Sequence, residues 1–145
     1  MKTKILNEQP ERTIALVFDE NEEVASGLLH FAEEQNLTAA RLSAIGALSR
    51  VVLGFFDFEK RGYRRIEINE QVEVVSLSGN IAVKDAVKKV HAHIVVGKSD
   101  GTAYGGHLLA GWVRPTLEVI AVESPSYLQR EMDEKTGLPL LNPQH

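Results

Sequence analysis

Apolar and polar positions fall into a few clear rhythms along the chain. Thr13-Ile14-Ala15-Leu16-Val17-Phe18 is an apolar run ending in turn-prone Asp19-Glu20-Asn21, which predicts a strand. Val24, Ala25, Leu28, Leu29, Phe31 and Ala32 recur at helical spacing. Asn21 is the expected cap of that helix, Glu22 and Glu23 suit the positive end of its dipole, and Asn36 is the expected stop. His30 lies beside the apolar stripe and is set aside as a ligand, because a lone helical histidine is usually a surface residue. After the helix the pattern turns to strands. Ala40–Ile45 and Val51–Phe58 flank Gly46-Ala47-Leu48-Ser49, and Arg64–Ile68 and Val72–Leu77 follow with turn residues between them. Val90–Val96 and Thr116–Val122 are rich in β-branched residues. Ser126–Lys135 reads as a short acidic helix before Gly137-Leu138-Pro139. Successive strands with short turns favour antiparallel pairing. The expectation is an α+β fold, mainly antiparallel β-sheet, with one covering N-terminal helix and a short C-terminal helix.

Length adds little to divide this picture. At 145 residues, with no repeat and no linker composition, the chain reads as one domain over 1–145, with a core at about 13–122 and a tail at 123–145. The absence of cysteine excludes disulfides, thiolate metal sites and a cysteine nucleophile. No apolar run reaches the roughly 18–20 residues of a membrane span, and no signal-peptide core is visible, so no membrane partner and a cytoplasmic location are the expectations. The net charge of −4 arises from 20 acidic and 16 basic residues. Phosphate-driven binding to nucleic acid requires a concentrated positive face. The one basic cluster, Lys60-Arg61 with Arg64-Arg65, reads as a solvated hairpin tip.

The concentrated chemistry lies between Val90 and Leu108. His91 and His93 are two apart on a predicted strand, so their imidazoles share a face while Val90, Ala92 and Ile94 take the other. Lys98-Ser99-Asp100-Gly101-Thr102 is a hairpin signal. With a three-residue loop and Gly101 in the left-handed conformation, Lys98 pairs with Thr102, and that register brings His93 opposite His107. Facing residues have Cβ atoms about 4.5–5.5 Å apart, near enough for two imidazoles to share an ion. A two-residue loop at Asp100-Gly101 would instead turn His107 to the other face, and a bulge at Gly105-Gly106 would change the parity. The arrangement is permitted by the sequence, not forced.

An isolated His-x-His is more often an ordinary polar pair, but a third histidine across a hairpin, with paired glycines beside it, favours a divalent metal site at His91, His93 and His107. Three imidazoles with an open fourth position suit catalytic zinc, and imidazole also accepts iron, nickel and copper. Zinc is the first candidate. Glu118, between apolar neighbours on a later strand, is the candidate catalytic base or outer partner. Gly97-Lys98-Ser99 resembles the end of a phosphate-binding loop, but that motif requires glycine where Ala92 stands.

Ser43-Ala44-Ile45-Gly46-Ala47-Leu48, Val74-Val75-Ser76-Leu77-Ser78-Gly79-Asn80, His91-Ala92-His93 and Gly105-Gly106-His107-Leu108-Leu109-Ala110-Gly111 occur in an order and spacing that resemble the plants-and-prokaryotes-conserved (PPC) domain. The resemblance runs from about Thr13 to Val122. It implies an antiparallel-sheet α+β fold, a homotrimer and, as in prokaryotic members, a metal held by three histidines, here His91, His93 and His107. Plant members carry AT-hooks, and prokaryotic relatives are often called predicted DNA-binding proteins. This chain has no Arg-Gly-Arg-Pro hook core, so DNA is not an expected partner. The fold is also similar to that of acetolactate decarboxylase, a zinc lyase. The resulting expectation is a stand-alone, trimeric metal-binding protein with a cleft for a small polar ligand. The alternatives are a metal-dependent lyase or hydrolase acting on a small carbonyl-containing substrate, and, more weakly, a DNA-binding or regulatory protein.

Overall fold

A computed structural model describes residues 12–124 and 129–143. In it the strand β1 (Thr13–Phe18) leads to the helix α1 (Val24–Glu34). The strands β2 (Ala40–Asp57), β3 (Gly62–Ile68), β4 (Val72–Lys84), β5 (Val87–Gly97) and β6 (Ala103–Glu123) follow, and β7 (Gln129–Asp133) and β8 (Leu138–Asn142) end the chain. The fold is mostly antiparallel sheet with a single helix among the described residues, as the alternating patterns predict. β2 pairs with both β4 and β6, β6 pairs with β5, and β5 pairs with β4, so four long strands close on one another. β3 extends the ring beside β2, and β1 lies along the end of β6.

Burial follows period. Leu42, Ala44, Leu77, Ala92, Ile94, Leu117 and Val119 alternate inward along their strands and form one core with the helix residues Val24, Leu28, Phe31 and Ala32. The helix begins differently from the expectation. Asn21 is not its cap, because its backbone has φ 73° and its N–H donates to the Val113 carbonyl. Glu23 caps instead, accepting from the N–H groups of Ala25 at 3.0 Å and Ser26 at 2.7 Å, and from the Ser26 hydroxyl at 2.6 Å. Its carboxylate also accepts from the Gly111 N–H at 3.1 Å, which ties α1 to β6. Burial pushes the Glu23 carboxyl pKa up, and these hydrogen bonds outweigh it and hold the group below the ordinary range. At the other end Asn36, with φ 51°, follows the last helical turn as expected of a stop.

Two further expectations are corrected. Ala40–Ile45 and Val51–Phe58, read as two strands flanking Gly46-Ala47-Leu48-Ser49, form with that segment one 18-residue strand, β2, with register shifts near Gly46 and Leu48. At φ 151°, Gly46 lets the strand bend where a side chain would not fit: an added Cβ would lie 2.4 Å from the Thr116 carbonyl oxygen and 2.8 Å from Leu117 Cα. A bulge in place of a break keeps the strand in the sheet while re-aiming its second half. The short C-terminal helix is also absent. Ser126–Leu128 lie outside the described residues, and Gln129–Asp133 is a strand paired with Leu138–Asn142 through a turn that contains Gly137 at φ 73°. Local acidity suggested a helix, but Arg130 points inward between exposed Gln129 and Glu131, a strand alternation. A parallel bridge from Gln129 to Val83 joins this hairpin to β4.

The Gly46 backbone generates the first prediction. Gly46→Ala should lower stability by about 2–4 kcal/mol, since both conformation and contact oppose it. Gly101→Ala has left-handed strain but open space around it, and should cost only about 1 kcal/mol. Urea denaturation midpoints check both, and equal small losses would count against a bulge at Gly46.

Candidate metal centre

The β5–β6 hairpin has the register that carries the site. Lys98 N–H donates to the Thr102 carbonyl at 2.9 Å, Gly101 N–H donates to the Lys98 carbonyl at 2.9 Å, and Gly101 has φ 81°. Asp100 fastens the loop by accepting from the Thr102 N–H at 2.9 Å and hydroxyl at 2.6 Å. The three-residue loop is therefore formed, and His93 faces His107. Ala92 and Ile94 turn into the core while His91 and His93 take the opposite face.

The three imidazoles form a triangle with ring centroids 5.1 Å apart for His91–His93, 5.0 Å for His91–His107 and 5.4 Å for His93–His107. One nitrogen from each lies within 4.8 Å of the others. Around a tetrahedral ion with bonds of about 2.0–2.1 Å, such nitrogens sit roughly 3.3 Å apart, a difference within reach of imidazole rotation. His107 Nδ1 is buried and has no hydrogen-bond partner among the described residues. A buried polar atom left unpaired costs about 1–3 kcal/mol, and an ion would satisfy it. The donor set and this orphaned nitrogen fit a divalent metal.

Electrostatics keeps the ligands in the form a metal requires. The His107 pKa is lowered to about 4 by burial first, then by His91, His93 and Arg130. That of His91 is lowered by burial, then by Arg130 and His93. Both rings are thus neutral near pH 7, with lone pairs free for coordination.

Three neighbours that the sequence reading passed over complete the site. Tyr63, on β3, stacks on His107 with centroids 4.6 Å apart and planes at 22°. It gains this position because Gly54, paired with His107, has no Cβ: one added there would lie 2.8 Å from Tyr63 Cδ1. Arg130, on β7, donates to Asn80 Oδ1 at 2.6 Å, and Asn80 faces His91 across β4 and β5. Lys89 stands at the edge of the same cavity, whose volume is about 230 Å³ and which includes His91, His107, Tyr63 and Arg130. The hairpin signal Lys135-Thr136-Gly137 between two short runs is what could have exposed Arg130.

Glu118 is not brought to the imidazoles within one chain. It follows His107 by eleven residues on β6, roughly 36 Å of strand contour at about 3.3 Å per residue. It is exposed and lines a separate hollow with Ser43, Ile45, Val75 and Ile120. His30 is exposed on α1 and pairs with Glu34 at 3.2 Å, in keeping with its exclusion. The Lys60-Arg61 and Arg64-Arg65 cluster surrounds the β2–β3 turn, as expected of a hairpin tip.

A closed antiparallel sheet presenting three convergent imidazoles on one hairpin defines a class of small β-rich domain with a candidate metal centre. The chain belongs to the Plants and Prokaryotes Conserved (PCC) domain family, whose profile matches residues 6–125. Among solved structures it is similar to the metal-containing protein AF0104 of Archaeoglobus fulgidus, with 35% identity, TM-score 0.87, and coverage of 97% of this chain and 99% of that one. It is also similar to a plant- and prokaryote-conserved (PPC) protein of Pyrococcus horikoshii, with 30% identity, TM-score 0.89, and coverage of 98% and 97%. A curated relative, the Bifunctional protein GlmU of Synechococcus sp. (strain JA-3-3Ab), is 34% identical over 113 residues, which span 76% of this chain but only 17% of that protein.

Two outcomes test the site. His93→Ala should retain the fold and lower zinc affinity by more than the roughly 10–100-fold typical of losing an outer partner. Elemental analysis after dialysis checks this, and wild-type metal content in the variant would refute the assignment. In metal-free protein, unfolded His107 takes up a proton near its ordinary 6.5, whereas the folded group does so only near pH 4. The unfolded state therefore binds more protons in that window, and the His107 contribution to stability should fall as pH drops from about 6.5 to about 4, then level off. Urea midpoints across this range should show a shallower slope for His107→Gln.

Proposed function

We propose that this protein binds a divalent metal, zinc first among the candidates, through His91, His93 and His107, at the wall of a cavity that receives a small polar ligand. The observation that carries the reading is the convergence of the three imidazole nitrogens, with buried His107 Nδ1 unpartnered. The description of the Archaeoglobus protein as metal-containing, at 35% identity over nearly the whole chain, supports it.

The working assembly in this reading is a homotrimer. Val17 and Ile45 are 60% exposed and Val75 59%, and they gather with Ile120 around Glu118 on one face of the sheet. Contiguous apolar surface of this kind marks contact with another protein surface. A second reading, a metal-dependent lyase or hydrolase acting on a small carbonyl-containing substrate, is favoured by the cavity beside the imidazoles. Among the described residues no Asp or Glu lines it, so none of them would close the coordination. A metal bound there would supply Lewis-acid polarisation of a carbonyl or an activated water. Tyr63, Lys89 and Arg130 would orient the bound molecule, and Glu118 would act as base only across a subunit boundary.

Light scattering should give a mass near three times the 16.0 kDa chain, and Ile45→Asp with Ile120→Asp should dissociate it. A wild-type monomer at micromolar concentration would refute the trimer. Zinc-loaded protein screened with small 2-oxo and hydroxy acids separates the two functional readings. A thermal shift without turnover supports the binding protein, whereas turnover that Glu118→Gln reduces supports the enzyme.

A further inference from the structure

Arg130 is the most unusual charge in the molecule. Its relative exposure is 7%, and it is the one buried charged side chain among the described residues. It donates to two neutral acceptors, the Pro139 carbonyl at 2.9 Å and Asn80 Oδ1 at 2.6 Å. Its Nε is buried without a partner, and no carboxylate pairs with it among the described ion pairs. A guanidinium has five N–H donors and cannot shed its charge by deprotonating in a protein, so two neutral contacts leave it both undersatisfied and uncompensated. Buried charges are normally paired.

The surroundings increase this imbalance. Asn80 faces His91, and so holds the guanidinium on the imidazole side of the sheet. The shared cavity of about 230 Å³ contains Lys89 as a further cation, while no Asp or Glu lines it among the described residues. Leu138, Pro139 and Leu140 supply an apolar wall. We propose that this cavity binds a small carboxylate, with Arg130 receiving the carboxyl group, the apolar wall receiving a short aliphatic body, and the opposite polar end directed to the three imidazoles. The inference deepens the small-ligand reading above and rests on it. Planar two-point recognition by guanidinium favours a carboxylate or a phosphate, and the apolar wall selects a short organic acid over a free phosphate.

The site lies in part beyond the family match, which ends at residue 125, because Arg130 and the wall residues from 138 to 140 come from the terminal hairpin. The carboxylate-binding half of the cavity therefore comes from the terminal hairpin, and the other half from the motif that carries the histidines.

The test is calorimetric titration with 4-hydroxybutyrate, its neutral amide and inorganic phosphate, using zinc-loaded and metal-free protein. The acid should bind roughly 10–100-fold more tightly than the amide, the range expected for a charge-assisted contact. Arg130→Gln should erase that difference while keeping wild-type zinc content by elemental analysis, and Arg130→Lys should restore part of it. Equal binding of acid and amide to the wild type, a result that needs no variant, overturns the proposal, as does absence of acid binding. Phosphate binding in preference to the acid also overturns the carboxylate assignment. If the wild type carries no zinc but the acid still requires Arg130, the metal reading fails and the carboxylate site stands. If zinc binds and Arg130→Gln leaves acid affinity unchanged, the reverse holds.

Discussion

The hydrogen-bonded closure of Lys98 with Thr102 is the constraint on which the site depends. The side-chain period of a strand is two, so a register fixed at the loop decides the orientation of every residue behind it. A slip by one would send His107 toward the core and expose Leu108, which is 6% exposed. Withdrawing such a leucine from the core costs about 1.5–3 kcal/mol, before any penalty for burying the imidazole. Asp100 braces the loop locally through its two bonds to Thr102, and core alternation enforces the same register at long range. The local and global preferences agree, which is the condition for a single well-defined pairing.

Once the register is set, electrostatics follows from burial. The cavity removes solvent from His91 and His107 and places them near Arg130, and each effect disfavours their protonation. The same cationic setting that keeps His91 and His107 neutral also leaves positive charge without an acidic partner. Neutral ligands and uncompensated charge are thus one arrangement with two consequences. The first suits a metal, and the second draws in an anion. Tyr63 limits how His107 can turn by stacking on it, so the imidazole deepest in the site is also the one held most firmly.

The legible parts of this structure were those encoded by period and by turn chemistry. His91 and His93 two apart, and a loop ending in Gly101, permitted a register with His107 across from His93, which the hairpin adopts, and the motifs around Gly46, Gly79, His91 and Gly105 gave the family. What escaped depended on contacts between distant segments. Gly46 reads locally as a break between two strands, and only the neighbouring Thr116 carbonyl shows that it is a bulge inside β2. Asn21 is a good cap by type, yet the long Glu23 side chain reaches both the helix N-terminus and Gly111 N–H, a tertiary contact that no local preference encodes. Arg130 drew no notice within an acidic segment, because burial of a charge is invisible without the cavity around it. Glu118 was selected as a carboxylate on a strand near glycines and histidine, and strand contour then carries it far from His107.

The placement of Glu118 follows from the length of β6. This 21-residue strand pairs in turn with β5, with β2 and with β1. Its beginning carries His107 beside the cavity, and its end carries Glu118 and Ile120 on the exposed apolar face. A long strand fixed by ladders on both sides transmits position well and bends only where bulges permit. The imidazole site and the apolar face are therefore held in one rigid relation, although neither touches the other within the chain. Any assembly through that face would set the spacing of neighbouring metal sites by strand geometry, without a hinge. The Glu23 cap adds a third anchor by gripping β6 at Gly111, four residues beyond His107. Helix, sheet and hairpin thus converge on the same stretch of backbone, and local fraying is least favourable there.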